Sequence, residues 1–103
     1  MAKTEPFDAA RYLTSPESQA ELLNDALASG DAGYVANALG IIARARGMTE
    51  VAREAGVTRE ALYKALSENG DPRLTTLLGV ARALGVTLTA RVGGTMNVDN
   101  LAR

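Results

Sequence analysis

The chain has 103 residues, enough to bury a core in one domain and too few for two. It contains no Cys, which excludes disulfides, thiol nucleophiles and Cys-based zinc sites, and no His, the commonest general base and metal ligand near neutral pH. An enzyme would be left with carboxylates alone, so a binding protein without cofactor or metal is the expectation. One Phe, three Tyr and no Trp make the core aliphatic, a composition suited to helix-on-helix packing.

The net charge of −1 hides an asymmetry. Residues 1–32 hold two basic and six acidic side chains, a balance of −4, whereas residues 33–103 hold nine basic and six acidic, a balance of +3. Phosphate binding depends on where charge sits, so the later part can serve an anionic partner. The acidic leader either faces a basic partner or is a solvated surface. No signal peptide and no run of eighteen apolar residues is present, which predicts a cytoplasmic protein without a membrane partner.

In chain order, the first six residues read as a frayed terminus, and Phe7, Ala10 and Leu13 fall on one side of a short helical turn. Ser15-Pro16-Glu17 is a helix start: a capping hydroxyl, a proline in the first turn, then a carboxylate at the positive end of the dipole. That helix is predicted to run to about Ser29, with Leu23, Ala26 and Leu27 as its apolar stripe, and to end at Gly30. Asp31 caps the next, roughly Ala32 to Arg46, which buries Val35, Ala38, Leu39 and Ile42. Gly40 inside it costs about 1 kcal/mol relative to Ala, which points to close helix packing. Gly47 follows where a left-handed residue is expected.

Met48 to Leu66, MTEVAREAGVTREALYKAL, reads as two short helices joined by a tight turn at Gly56. Ala52 lets the helices cross closely, Gly56 takes a positive φ without steric cost, and Leu62, Ala65 and Leu66 face the core. Thr49 and Thr58 are placed to cap the two helices. This is the arrangement of a helix-turn-helix, whose second helix enters the DNA major groove. Glu50 and Glu54, one turn apart, read as solvated charge flanking Arg53 rather than an acid–base pair.

After a polar exit loop, Ser67 to Gly70, Asp71-Pro72 repeats the cap-then-proline start. Leu74, Leu77, Leu78, Ala81 and Leu84 make the core stripe of the last helix, which Gly85 stops. Val86, Leu88, Ala90 and Val92 then alternate with period two, as in a strand. Either that strand pairs with its copy in a second subunit, or the segment lies extended on its own core. Residues 93–103 read as a mobile polar tail.

The DNA-reading chemistry follows from the outward residues of the second motif helix. Arg59 can contact guanine O6 and N7 in bidentate fashion, and Lys64 can reach a guanine or a phosphate. Glu60 can accept from a cytosine amino group or pair with a neighbouring base, while Tyr63 offers a hydroxyl for phosphate and a ring for a thymine methyl. Thr58 opens the helix, Thr49 offers its hydroxyl and backbone N–H to phosphate, and Ser67, Asn69 and Arg73 are weaker backbone-contact candidates.

Two stretches, FDAARYLTSPESQAELLNDALASGD and ALGIIARARGMTEVAREAGVTREALYKALSENGDPRLTTLLGVARALGV, carry a family resemblance, most specifically in REALYKALSENGDP. The chain resembles the addiction-module antidote proteins, HigA-like antitoxins with a lambda-repressor/Cro-type DNA-binding domain. The resemblance implies an all-α fold with a five-helix lambda-repressor-like DNA-binding core; joined to the reading of the residues, it gives a helix-turn-helix domain over 33–92, an acidic helical extension over 1–32 packed on it, a short C-terminal strand, and a flexible tail over 93–103 that the resemblance does not reach. It also implies a homodimer on a palindromic double-stranded operator in its own promoter, and a RelE/HigB- or ParE-like toxin partner neutralised by direct binding. The family's DNA-facing helix falls on Thr58, Arg59, Glu60, Tyr63 and Lys64; no toxin-binding motif carries over. A stand-alone phage-type repressor needs the same helices, and an adaptor that binds only protein is the third reading.

Overall fold

A computed structural model describes residues 15–92. They form five helices: α1 (Pro16–Ser29), α2 (Ala32–Arg46), α3 (Met48–Ala55), α4 (Arg59–Ala65) and α5 (Leu74–Ala83). The predicted turn over 7–13 and the tail over 93–103 lie outside the described residues. The five helices include α1, which falls in the predicted extension, so the stretch assigned to a five-helix domain supplies four.

Local chemistry sets the first boundaries as expected. Ser15 Oγ accepts from the Ser18 N–H at 3.1 Å with Pro16 in the first turn, and Gly30 ends α1 at φ 73°. One Asp31 oxygen accepts from the N–H groups of Gly33 and Tyr34 at 2.9 and 3.3 Å and opens α2. Helix α1 packs on α2, α2 on α3, and α3 on both α4 and α5. The core they share is aliphatic: Leu23, Leu39, Ile42, Val51, Leu62, Leu66, Val80 and Leu84 are buried, and no polar or charged side chain among the described residues is. Gly40 meets the expectation of close packing, since it lies against the backbone of Leu66.

Several expectations change. Gly47 is not left-handed in the helical sense: at φ 125° and ψ 110° it closes α2 and opens α3 at once. Helix α3 therefore starts at Met48, Thr49 is already its second residue, and no side chain caps it. Asp71 does not cap α5 either. Arg73, extended at ψ 155°, is the cap, and Asp71 comes two residues too early. The stripe predicted for α5 holds at Ala81, Leu84 and the half-buried Leu77, but Gly79 and Val80 are also buried while Leu74 (69% exposed) and Leu78 (46%) stand in solvent. Leu27 of α1 is likewise 44% exposed. No strand occurs among the described residues; the alternating segment lies on its own core through Val86 and Leu88, while Ala90 and Val92 are exposed.

Helices α1 and α2 are also tied by the Tyr34 hydroxyl, which donates to Asp25 Oδ2 at 2.6 Å. That bond first, then partial desolvation and the Asp25 charge, holds the phenol above its ordinary value of 10.0. A raised folded value contributes stability that is present below the unfolded value and lost as pH climbs through the folded one. Tyr34→Phe should therefore lower the melting temperature at neutral pH, with the gap to wild type closing above the ordinary phenol value. A gap that stays constant through that range would remove the bond from the account.

Candidate nucleic-acid interface

Helices α3 and α4 meet at a turn that only a few residues permit. Gly56 adopts φ 78°, where a side chain is strained, and the Val57 N–H reaches back to the Ala52 carbonyl at 3.0 Å. The chain then extends at Thr58 (ψ 157°), whose Oγ1 accepts from the Ala61 N–H at 3.0 Å and starts α4. Seven residues are too few for a helix to persist alone, so tertiary packing holds α4. Leu62, with no exposed surface, and Leu66 anchor it, and the half-buried Ser67 donates its hydroxyl to the Lys64 carbonyl at 3.0 Å at its end.

This anchoring leaves Arg59, Glu60, Tyr63 and Lys64 exposed, along with Thr58. Arg59, Tyr63 and Thr49 converge on one open cleft at the start of α3, which Gly47, Met48 and Glu50 complete. Thr58, Glu60 and Lys64 flank the cleft without lining it, and Asn69 is exposed in the exit turn. Ser67 is drawn into ending α4, which leaves less of it for a ligand than the sequence implied.

The same cleft gains Arg44, which sequence reasoning missed. Arg44 sits in the last turn of α2, where a basic side chain is ordinarily explained by the helix dipole. Only the one-residue joint at Gly47 folds that turn back beside α4. The signal in the sequence was a cation three residues before the glycine that opens α3.

Electrostatically the cleft is cationic. The Arg59 guanidinium lies over the Tyr63 ring, 5.5 Å from its centroid, an exposed cation–π contact. Its interaction with Tyr63, and secondarily the Glu60 carboxylate, raises its proton affinity further, so it is cationic at any working pH. Arg53 is held by Glu50 in an exposed ion pair one turn along α3, and Glu54 is exposed, in line with solvated charge. Among the described residues, no group of three or more His, Cys, Asp or Glu could hold a metal ion. No helix among them is long and apolar enough to cross a membrane.

With this geometry in place, comparison with known proteins places the chain in a class. The family model described as "Probable addiction module antidote protein" matches residues 3–92, and the chain belongs to that family. Over 80 residues it is 46% identical to an uncharacterized protein of Haemophilus influenzae, a match that covers 78% of this chain and 82% of that protein. No solved structure matches the chain. An antidote family implies an antitoxin role and, in general, a toxin partner.

Proposed function

We propose that the chain is a sequence-specific DNA-binding antitoxin of the HigA-like kind. Helices α3 and α4 act as a lambda-repressor/Cro-type helix-turn-helix and repress the protein's own operon, and the chain neutralises a RelE/HigB- or ParE-like toxin by direct binding. The observation that carries the DNA half is the short, Thr58-capped α4, pinned by Leu62 with Arg59, Tyr63 and Lys64 outward beside the uncapped start of α3. Free N–H groups at that start, together with Arg44, suit a phosphate, while α4 meets base edges. Family membership supports the antidote half. A homodimer would place two copies of α4 about 34 Å apart, on successive major-groove faces of a palindrome.

Arg59 reads a base in this scheme and arrives already oriented by Tyr63. Arg59→Ala should weaken binding to the protein's own promoter by roughly 1–3 kcal/mol and relax one base position. Anisotropy titrations against the promoter and single-base variants measure both, and wild-type affinity in that variant would sink the assignment. Lys64→Ala, if the ammonium holds a phosphate, should weaken all sequences alike and reduce the salt slope by about one.

A further inference from the structure

A second surface, which shares no lining residue with the Arg59 cleft, is not used by the DNA-binding reading. A groove runs along α1, with Pro16, Ala20, Leu23 and Leu27 on one wall and residues 84–89 on the other. Leu23, Leu27 and Leu88 form its floor and continue into an apolar crevice that reaches Leu77 and Ala81 of α5. Leu27 stands 44% exposed there. Arg46 is the one cation among the lining residues, and its guanidinium is directed at the Ala83 and Leu84 carbonyls at 3.3 and 3.1 Å.

Arg46 is the one charged side chain that lines the groove, and the α1 flank beside it is acidic. From residue 15 to residue 43 the sequence has four acidic residues and no Lys or Arg. Glu17 and Glu21, one turn apart and exposed on the outer flank of α1 beside Asn24, have no ion-pair partner among the described residues. An apolar floor with an unpaired acidic rim suits a segment that is apolar on one side and cationic on the other.

We infer that the groove between α1 and residues 84–89 docks a basic amphipathic segment of a partner protein, an apolar side chain entering beside Leu27 and cations meeting Glu17 and Glu21. The inference rests on the antitoxin reading, in which that partner is the toxin. It leaves the Arg59 face free, so one chain can hold DNA and partner together.

The probe is the product of the neighbouring reading frame, titrated onto the full chain by calorimetry at two salt concentrations. Leu27→Asp should lower affinity by on the order of tenfold or more while promoter binding is unchanged. Glu17→Gln with Glu21→Gln, both exposed, should weaken binding and flatten its salt dependence, with a thermal melt of the free variant showing what the loss of the Glu17 charge from the first turn of α1 costs. Wild-type partner affinity in both variants overturns the groove and leaves the antitoxin reading standing. A neighbour that does not bind the wild-type chain overturns that reading itself. If Leu27→Asp changes the sedimentation of the free chain and not partner capture, the groove belongs to a second copy and the inference fails.

Discussion

Leu62→Ala should cost about 2–5 kcal/mol of stability, against a total of roughly 5–15 kcal/mol for a domain of this kind. Leu62 has no exposed surface, and the other large side chains buried fully in the same core cluster, Val51, Ile42 and Val80, are held by three different helices. None can shift into the vacated volume without disturbing its own packing. The loss falls on the element least able to bear it. Helix α4 has seven residues, one side-chain cap and one buried leucine, with Leu66 buried at its C-cap, so much of its anchoring goes with one side chain. Urea denaturation should show a lower midpoint with an unchanged slope. On the proposed function, promoter affinity should also fall, at temperatures where the rest of the domain is still folded, because α4 is no longer held in one orientation. A stability loss below about 1 kcal/mol would mean that the site collapses around the smaller residue and that Leu62 is not the anchor.

Gly40→Ala should destabilise the protein by about 2 kcal/mol or more, although an Ala in mid-helix is intrinsically worth about 1 kcal/mol over Gly. A Cβ at this position would lie 2.3 Å from the Leu66 carbonyl oxygen and 3.3 Å from the Leu66 Cβ. The oxygen belongs to the backbone and cannot rotate aside like the end of a side chain. The two segments must separate instead, and overpacking of that kind outweighs the propensity gain. The consequence reaches the candidate interface because Leu66 closes α4. Gly33, seven residues earlier on the same face of α2, stands in the same relation to the Glu68 carbonyl, with a Cβ distance of 2.6 Å. Two glycines on α2 thus seat the end of α4 and its exit turn. Thermal melts of Gly40→Ala and Gly33→Ala should both fall below wild type, and a Gly40→Ala protein as stable as wild type would show that α4 is free to move off α2.

Much of the fold is legible in the sequence because it is enforced over a few residues. Ser15, Asp31 and Thr58 accept from N–H groups two or three positions away, so their caps need nothing from the rest of the chain. The turn at Gly56 is similar: its positive φ is a property of one residue. The antidote family is legible too, since it rests on a long ordered match. Where two local signals compete, the sequence is less decisive. Thr49 and Asp71 have the chemistry of caps, yet the chain enters α3 at Met48 and α5 at Leu74, which leaves one hydroxyl inside its helix and one carboxylate outside.

The tertiary structure alone decides which side of each helix is inside and which distant side chains meet. Helical periodicity gives α5 an apolar stripe but not its rotation. The close approach of Gly79 to Ala55 of α3 turns Val80 and Leu84 inward, and it leaves Leu74 and Leu78 in water. Arg44 joins Thr49, Arg59 and Tyr63 only once the joint at Gly47 has set α3 against the end of α2; its spacing from that glycine marks it as a candidate and does not fix the contact. The acidic run from α1 was visible as composition, whereas the apolar groove it borders exists only once residues 84–89 are laid across Leu23 and Leu27. Caps and turns are settled by bonds between near neighbours; surfaces are settled by packing between elements far apart in the chain.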